Sequence, residues 1–214
     1  GPLYVAQKVC YHRGEVKYRG DGLTMANQII TIGRQCGSGG HTIGILLARQ
    51  LGLPFYDKQI VEEEAVRTKL SAEFIRSHRT YFGGGQAVGY GTRFNSPERM
   101  GSQFIDQLQQ IQAEVLLEAA WQEPCVIVGR CADYVLADQF AILKVFIHSE
   151  LPYKIDRSAR EHGLARDQAP AVLAQRDRAR ARLYTFFTEQ RWGDAANYDL
   201  CLDSGTLGVE GCVA

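Results

Sequence analysis

The sequence predicts an α/β fold in which a parallel sheet is covered by helices. Three observations predict it. Four short apolar runs, NQIITIGR, CVIVGR, AILKVFIHS and YDLCLDSG, have the length and branched-residue content of buried strands. Helical-period segments stand between them, the order that joins parallel strands through crossover helices. The first run leads directly into a glycine-rich turn and a helix, GRQCGSGGHTIGILLARQLG.

Taken in order, the first 24 residues, GPLYVAQKVCYHRGEVKYRGDGLT, precede Met25 and read as vector-derived or as an upstream extension. The alternation in YVAQKVCYH predicts an edge strand there. Residues 25–214 read as one domain, consistent with a length that supports one sizeable core. After the first strand, Ile43, Leu46, Leu47 and Leu51 recur at helical spacing and Gly52 marks the stop. LPFYDKQIVEEEAVR predicts a short extended piece followed by a helix. Ser71 to Ser102 is rich in glycine and aromatics and reads as a lobe or loop. A long helix then runs from near Pro97 to just before Pro124. Glu150 to about Arg191 is helical and arginine-rich, and LGVEGCVA starts a last helix.

Composition excludes several function classes. Lys+Arg and Asp+Glu both total 24, so net charge predicts no nucleic-acid partner. No apolar run has the length of a membrane span. Six scattered cysteines without a CxxC pair predict free thiols in a reducing cytoplasm, and no zinc site.

The chemistry starts at the turn. A strand running into glycines and then a helix aims successive backbone N–H groups at one spot, at the positive end of the helix dipole. Gly37, Ser38, Gly39 and Gly40 supply that backbone, His41 follows, and Thr42 falls where a hydroxyl would hold Mg²⁺. The strict GxxxxGK[ST] pattern fails because Gly40 stands at the lysine position. A glycine turn of this kind also serves plain close packing of helix on strand. The missing charge has a candidate source in the arginine-rich segment. Arg157 and Arg160 lie three apart, as do Asp177 and Arg180, with Arg176 adjacent. Local ion pairs on a solvated helix surface are the alternative for any one of them. Arg130 follows a strand end, where α/β sheets bind ligands. Asp57 reads equally as a helix N-cap or a substrate contact.

Together, ITIGRQCGSGGHTIGILLARQLGLPFYDKQIV, VIVGRCADYVL, RSAREHGL, RDRARARLY and WGDAANYDLCLDSGTLGVEG resemble the cytidylate kinase-like group of P-loop nucleoside monophosphate kinases, over roughly residues 27 to 212. The resemblance implies a three-layer α/β/α P-loop fold with a parallel sheet and a helical lid. It places an acceptor-binding lobe at about residues 58–105 and the arginine-rich lid at about 150–192. It implies transfer of the γ-phosphoryl group of ATP, with Mg²⁺, to a nucleoside monophosphate such as CMP or dCMP. The family loop reads Gly-x-x-Gly-x-Gly-Lys-Gly-Thr; Gly37, Gly39 and Thr42 match it, and Gly40 replaces the lysine, as in many members of the group.

By the same resemblance, Gly37 to Thr42, His41 included, hold the nucleotide, and Thr42 meets the metal. Arg157, Arg160 and Arg180 serve the transferring group. Asp57, Arg130, Arg176, Asp177 and Arg180 bind the acceptor. Lys58 stands where the family has serine. A second function class stays open at this point: a weak or inactive nucleotide-binding sensor. The helix FIDQLQQIQAEVLLEAAW and the aromatic LYTFF are a candidate homodimer surface.

Overall fold

The computed structural model describes residues 9–12, 15–18, 29–61 and 102–214. The glycine- and aromatic-rich stretch read as an acceptor lobe falls almost wholly outside the described residues.

Strands β1 (Val9–His12) and β2 (Glu15–Tyr18) pair antiparallel as a separate two-stranded sheet. The last four residues of YVAQKVCYH, Val9–His12, are therefore a strand, but one paired in a hairpin and not at the edge of the main sheet. A local partner three residues away closes a far smaller loop than a distant sheet edge would.

The main sheet has five parallel strands: β3 (Ile29–Arg34), β4 (Phe55–Tyr56), β5 (Val126–Val128), β6 (Ile142–His148) and β7 (Leu200–Asp203), in the order β4-β5-β3-β6-β7. Helix α1 (Gly40–Leu51) follows β3, α2 (Ser102–Gln122) precedes β5, and α3 (Ala132–Val135) follows it. Helices α4 (Leu151–His162) and α5 (Ala169–Thr188) form the arginine-rich pair, and α6 (Ser204–Val213) ends the chain. That last helix begins ahead of LGVEGCVA, because Asp203 caps it by accepting from the Gly205 N–H at 2.9 Å.

Period-two alternation divides the sheet between two cores. Ile29, Cys125 and Ile127 face Leu116, Ala132 and Leu136 from α2 and α3. Ile30, Ile32, Val126, Val128 and Ile147 face Ile43 and Ala48 of α1, with Val209 and Val213 of α6 at the margin. The result is three layers. Ile29, Ile127 and Leu116 are completely buried, each contributing about 1.5–3 kcal/mol of apolar transfer. Helix α2 thus turns its apolar face to the core, while in LYTFF Phe186 is 61% exposed.

A third, smaller cluster fixes the arginine-rich pair. Cys36 of the glycine turn packs with Ala169 and Leu173 of α5 and with Ile155 of α4. The pair therefore rests directly on the turn.

Candidate functional site

The turn between β3 and α1 is held from four sides. The Gln35 N–H donates to the Ile147 carbonyl at 2.9 Å, and the Gln35 side-chain oxygen accepts from Lys154 Nζ at 3.0 Å. Ser38 is fully buried and its hydroxyl donates back to the Gln35 carbonyl at 2.9 Å. The buried Ser204 hydroxyl lies 2.6 Å from the Ser38 carbonyl and 3.1 Å from that of His148. Gly37 and Gly39 both have φ of 81°, a left-handed backbone that glycine adopts without strain. Helix α1 starts with no side-chain cap, so its first N–H groups open toward the turn.

Arg157 lies on this turn. A Cβ built at Gly39 would come within 3.0 Å of its Cζ, so only glycine lets the guanidinium rest against the backbone. Its Nη2 donates to Thr42 Oγ1 at 2.9 Å and to Glu161 at 2.8 Å, and the residue is 6% exposed. Arg160, one turn further on the same helix, is exposed. Helical spacing alone made these two equivalent, and packing separates them.

A second group of arginines gathers at the ends of β3 and β5. Gly129, Arg130 and Cys131 are three consecutive left-handed residues, with φ of 81°, 61° and 52°. For the two non-glycine residues this is strained backbone of the kind found at binding sites. It presents Arg130, whose Nη1 donates to the buried Gln112 Oε1 at 3.0 Å. Arg180 Nη1 donates to the Arg34 carbonyl and to Asp177 Oδ1, both at 3.2 Å. Asp177 Oδ1 also accepts the Cys36 N–H at 2.7 Å. Arg176 lies alongside, with Nη1 4.0 Å from Cys36 Sγ. Burial raises the Asp177 carboxyl above the usual range, against the opposing pull of the Cys36 N–H and Arg180.

Arg34 belongs to the same group and was not singled out from the sequence. Burial, then Arg180 and Arg130, draw its pKa down to about 9, so it stays charged at neutral pH. The available signal was a repeat: β3 ends in Gly-Arg, and its neighbour β5 is followed directly by Gly-Arg. Gln112 and Lys154 were likewise missed, since neither stands in a motif.

The N-cap reading of Asp57 is the one the structure shows. Its Oδ1 accepts the N–H groups of Gln59 and Ile60 at 2.9 and 3.0 Å, which is an N-cap. Its Oδ2 lies 2.8 Å from His41 Nε2. The His41 hydrogen bond is the largest cause holding the Asp57 carboxyl below its ordinary value, opposed by burial. Its contribution to stability is therefore present above about pH 4 and is lost as pH falls through the depressed value. His41→Ala is expected to move the Asp57 pKa up toward the usual range, as read by carboxyl NMR titration. An unchanged titration would show that the N–H groups alone hold the charge.

Further along, buried Asp133 accepts the Tyr184 hydroxyl at 2.7 Å, fastening α5 to α3. Burial pushes both groups up. Among the described residues, Cys36, Cys125, Cys131, Cys201 and Cys212 are free thiols, and no cluster of three His, Cys, Asp or Glu side chains is arranged to hold a metal. Among the same residues, no helix is long and apolar enough to cross a membrane.

The model of a family described as cytidylate kinase-like matches residues 29–206. A search of curated proteins finds no match. Among solved structures, the chain is similar to an uncharacterized protein from Eubacterium ventriosum, with 25% identity and a TM-score of 0.66 over 86% of this chain and 92% of that one. It is similar to a Thermus thermophilus protein at 19% identity and a TM-score of 0.54, covering 86% and 91%. A shikimate kinase from Bacteroides thetaiotaomicron overlaps at 17% identity and a TM-score of 0.49, covering 88% and 94%. The likeness to the Thermus protein shows the fold alone.

Proposed function

We propose that this chain, which belongs to the cytidylate kinase-like family, transfers the γ-phosphoryl group of ATP to a small phosphorylated acceptor, a nucleoside monophosphate such as CMP or dCMP. The observation that carries the reading is the Arg157 guanidinium seated on Gly39 and bonded to Thr42 Oγ1. It brings a permanent, fork-shaped cation to a loop whose lysine position holds Gly40.

The residues fit a nucleotide with its metal. Gly37 and Gly39 leave the turn without side chains, and the uncapped start of α1 supplies N–H donors for a phosphate. Thr42 offers a hydroxyl oxygen as one ligand for Mg²⁺, which when bound would neutralise phosphate charge. Arg157, with Lys154 close behind the turn, stabilises charge on the transferring group; the exposed Arg160 stands further off. Arg130, Arg176 and Arg180 hold the acceptor phosphate. Asp57, fixed by His41 and by its own helix, lies within electrostatic reach of Arg34, on the acceptor side. Asp177 reaches the acceptor through Arg180, since its Oδ1 is engaged by the turn. The free thiols support placing the chain in a reducing compartment, the cytoplasm.

A coupled ADP-release assay over CMP, dCMP and other small phosphorylated acceptors tests the reading. Acceptor-dependent ADP release is the expected result. Nucleotide binding without release for any acceptor would replace it with the sensor reading.

A further inference from the structure

We infer that Asp133 and Tyr184 are a positioning pair, a polar latch that seats the C-terminal half of α5 against α3 and so holds Asp177 and Arg180 on the glycine turn. The consequence for nucleotide binding rests on the phosphotransferase reading; the latch itself does not.

One stripe of α5 makes the seat. Leu173, Asp177, Arg180 and Tyr184 follow one another at steps of four, three and four residues, the spacing of a single helix face. The two ends of the stripe differ in kind. Ala169 and Leu173 pack on Cys36, an apolar contact. Beyond them every contact is polar: Asp177 takes the Cys36 N–H, Arg180 donates to the Arg34 carbonyl, and Tyr184 donates to Asp133. Tyr184 stands one turn past Arg180 and reaches beyond the glycine turn to α3. Its bond therefore decides how the rest of the stripe lies.

The latch holds without holding tightly. Asp133 is 8% exposed and Tyr184 6%, and the partner that Asp133 finds on α5 is a neutral hydroxyl, not a cation. A buried carboxylate held in that way keeps much of its desolvation cost. Burial raises the Asp133 carboxyl, against the pull of the Tyr184 hydroxyl, of the Asp133 and Tyr134 N–H groups and of the Lys144 charge. The Tyr198 hydroxyl is buried beside Tyr184 with no partner in hydrogen-bonding geometry among the described residues. On release, the carboxylate and the hydroxyls regain water, which offsets much of the bond that seating makes. An apolar pair at this place would fix α5 outright. The polar pair leaves the seated and released positions close in free energy, and a ligand that binds the seated form shifts the balance.

Amide hydrogen exchange on the full chain without ligand tests the latch. The Cys36 N–H, bonded to Asp177, reports the seat of α5; the Val126 N–H, bonded to the Pro54 carbonyl at 2.9 Å, reports the sheet. Tyr184→Phe keeps the ring and removes the hydroxyl. It is expected to speed exchange at Cys36 about tenfold or more and to leave Val126 within about twofold. Asp133→Asn keeps an acceptor for Tyr184 and removes the charge, so Cys36 should exchange no faster than in the unaltered chain. Tyr184→Phe should also bind ADP with Mg²⁺ several-fold more weakly by calorimetry, with kcat at saturation within about threefold, because only the seated fraction falls. Unchanged exchange at Cys36, equal acceleration at Val126, or unchanged ADP affinity in Tyr184→Phe would overturn the positioning role. Faster exchange at Cys36 in Asp133→Asn would overturn it too. Selective acceleration at Cys36 with no ADP binding to any of the three proteins would remove the nucleotide reading and leave the latch standing. Unchanged exchange at Cys36 beside acceptor-dependent ADP release would remove the latch and leave the kinase reading standing.

Discussion

Arg157→Ala is expected to lower phosphoryl transfer by roughly 10²–10³-fold, with the fold intact. The guanidinium is the group that meets both the glycine turn and Thr42, and it is 6% exposed, so water cannot substitute for it as a fixed donor. Its removal leaves Glu161 unpaired, but that carboxylate's side chain is 34% exposed and regains hydration. The stability cost should be small beside the catalytic one. Steady-state ADP release, with circular dichroism as the folding control, checks this. Arg157→Lys should recover only part of the loss, because an ammonium cannot bridge a phosphate and Thr42 in one plane. Arg160→Ala, on the exposed part of the same helix, should cost less than about threefold. Undiminished turnover in Arg157→Ala would break the link between this arginine and the chemistry.

The second large effect concerns Gly40. Restoring lysine at the seventh loop position should not repair the loop but break it. The new Cβ would stand 2.5 Å from Arg34 Cβ and 3.3 Å from Ile147 Cβ, and neither is the far end of a flexible chain. Overpacking of this sort typically costs about 1–3 kcal/mol or more. Gly40→Lys is accordingly expected to lower the urea midpoint and abolish ADP binding. Arg34→Gly in the same chain should restore both. Arg34→Ala should not, since its Cβ remains where the clash occurs. A Gly40→Lys protein of normal stability and faster turnover would mean that the loop is an ordinary one merely short of charge.

These two predictions show how far the sequence reaches. β3, β5 and the second half of β6 are buried on both faces, and that demand is visible as unbroken hydrophobicity, whereas β7 is a partly exposed edge strand. The helix stop at Gly52 is equally local, as its left-handed φ of 66° is a glycine conformation. Pairing is not local. YVAQKVCYH carries the same period whether its partner is a distant sheet or Glu15–Tyr18. The site divides in the same way. Gly37, Gly39 and Thr42 are legible because a glycine turn running into a helix imposes contiguous residue types. The choice of Arg157 over Arg160 depends on which face of α4 meets Gly39, and Arg34 depends on Gly129, 95 positions away in the chain. Sequence spacing carries no record of such contacts.

Asp177 and Arg180 give the arginine-rich pair a consequence for ligand binding. Both sit on α5, yet they hold the Cys36 N–H and the Arg34 carbonyl, the main chain of the turn itself. A ligand that draws Arg180 toward itself must loosen or re-aim the turn. A ligand that organises the turn must re-aim Arg180. Donor and acceptor are then thermodynamically linked: whatever factor one applies to the affinity of the other is returned unchanged. Cutting the Asp177 tie to the Cys36 N–H should weaken that linkage while Arg180 remains in place.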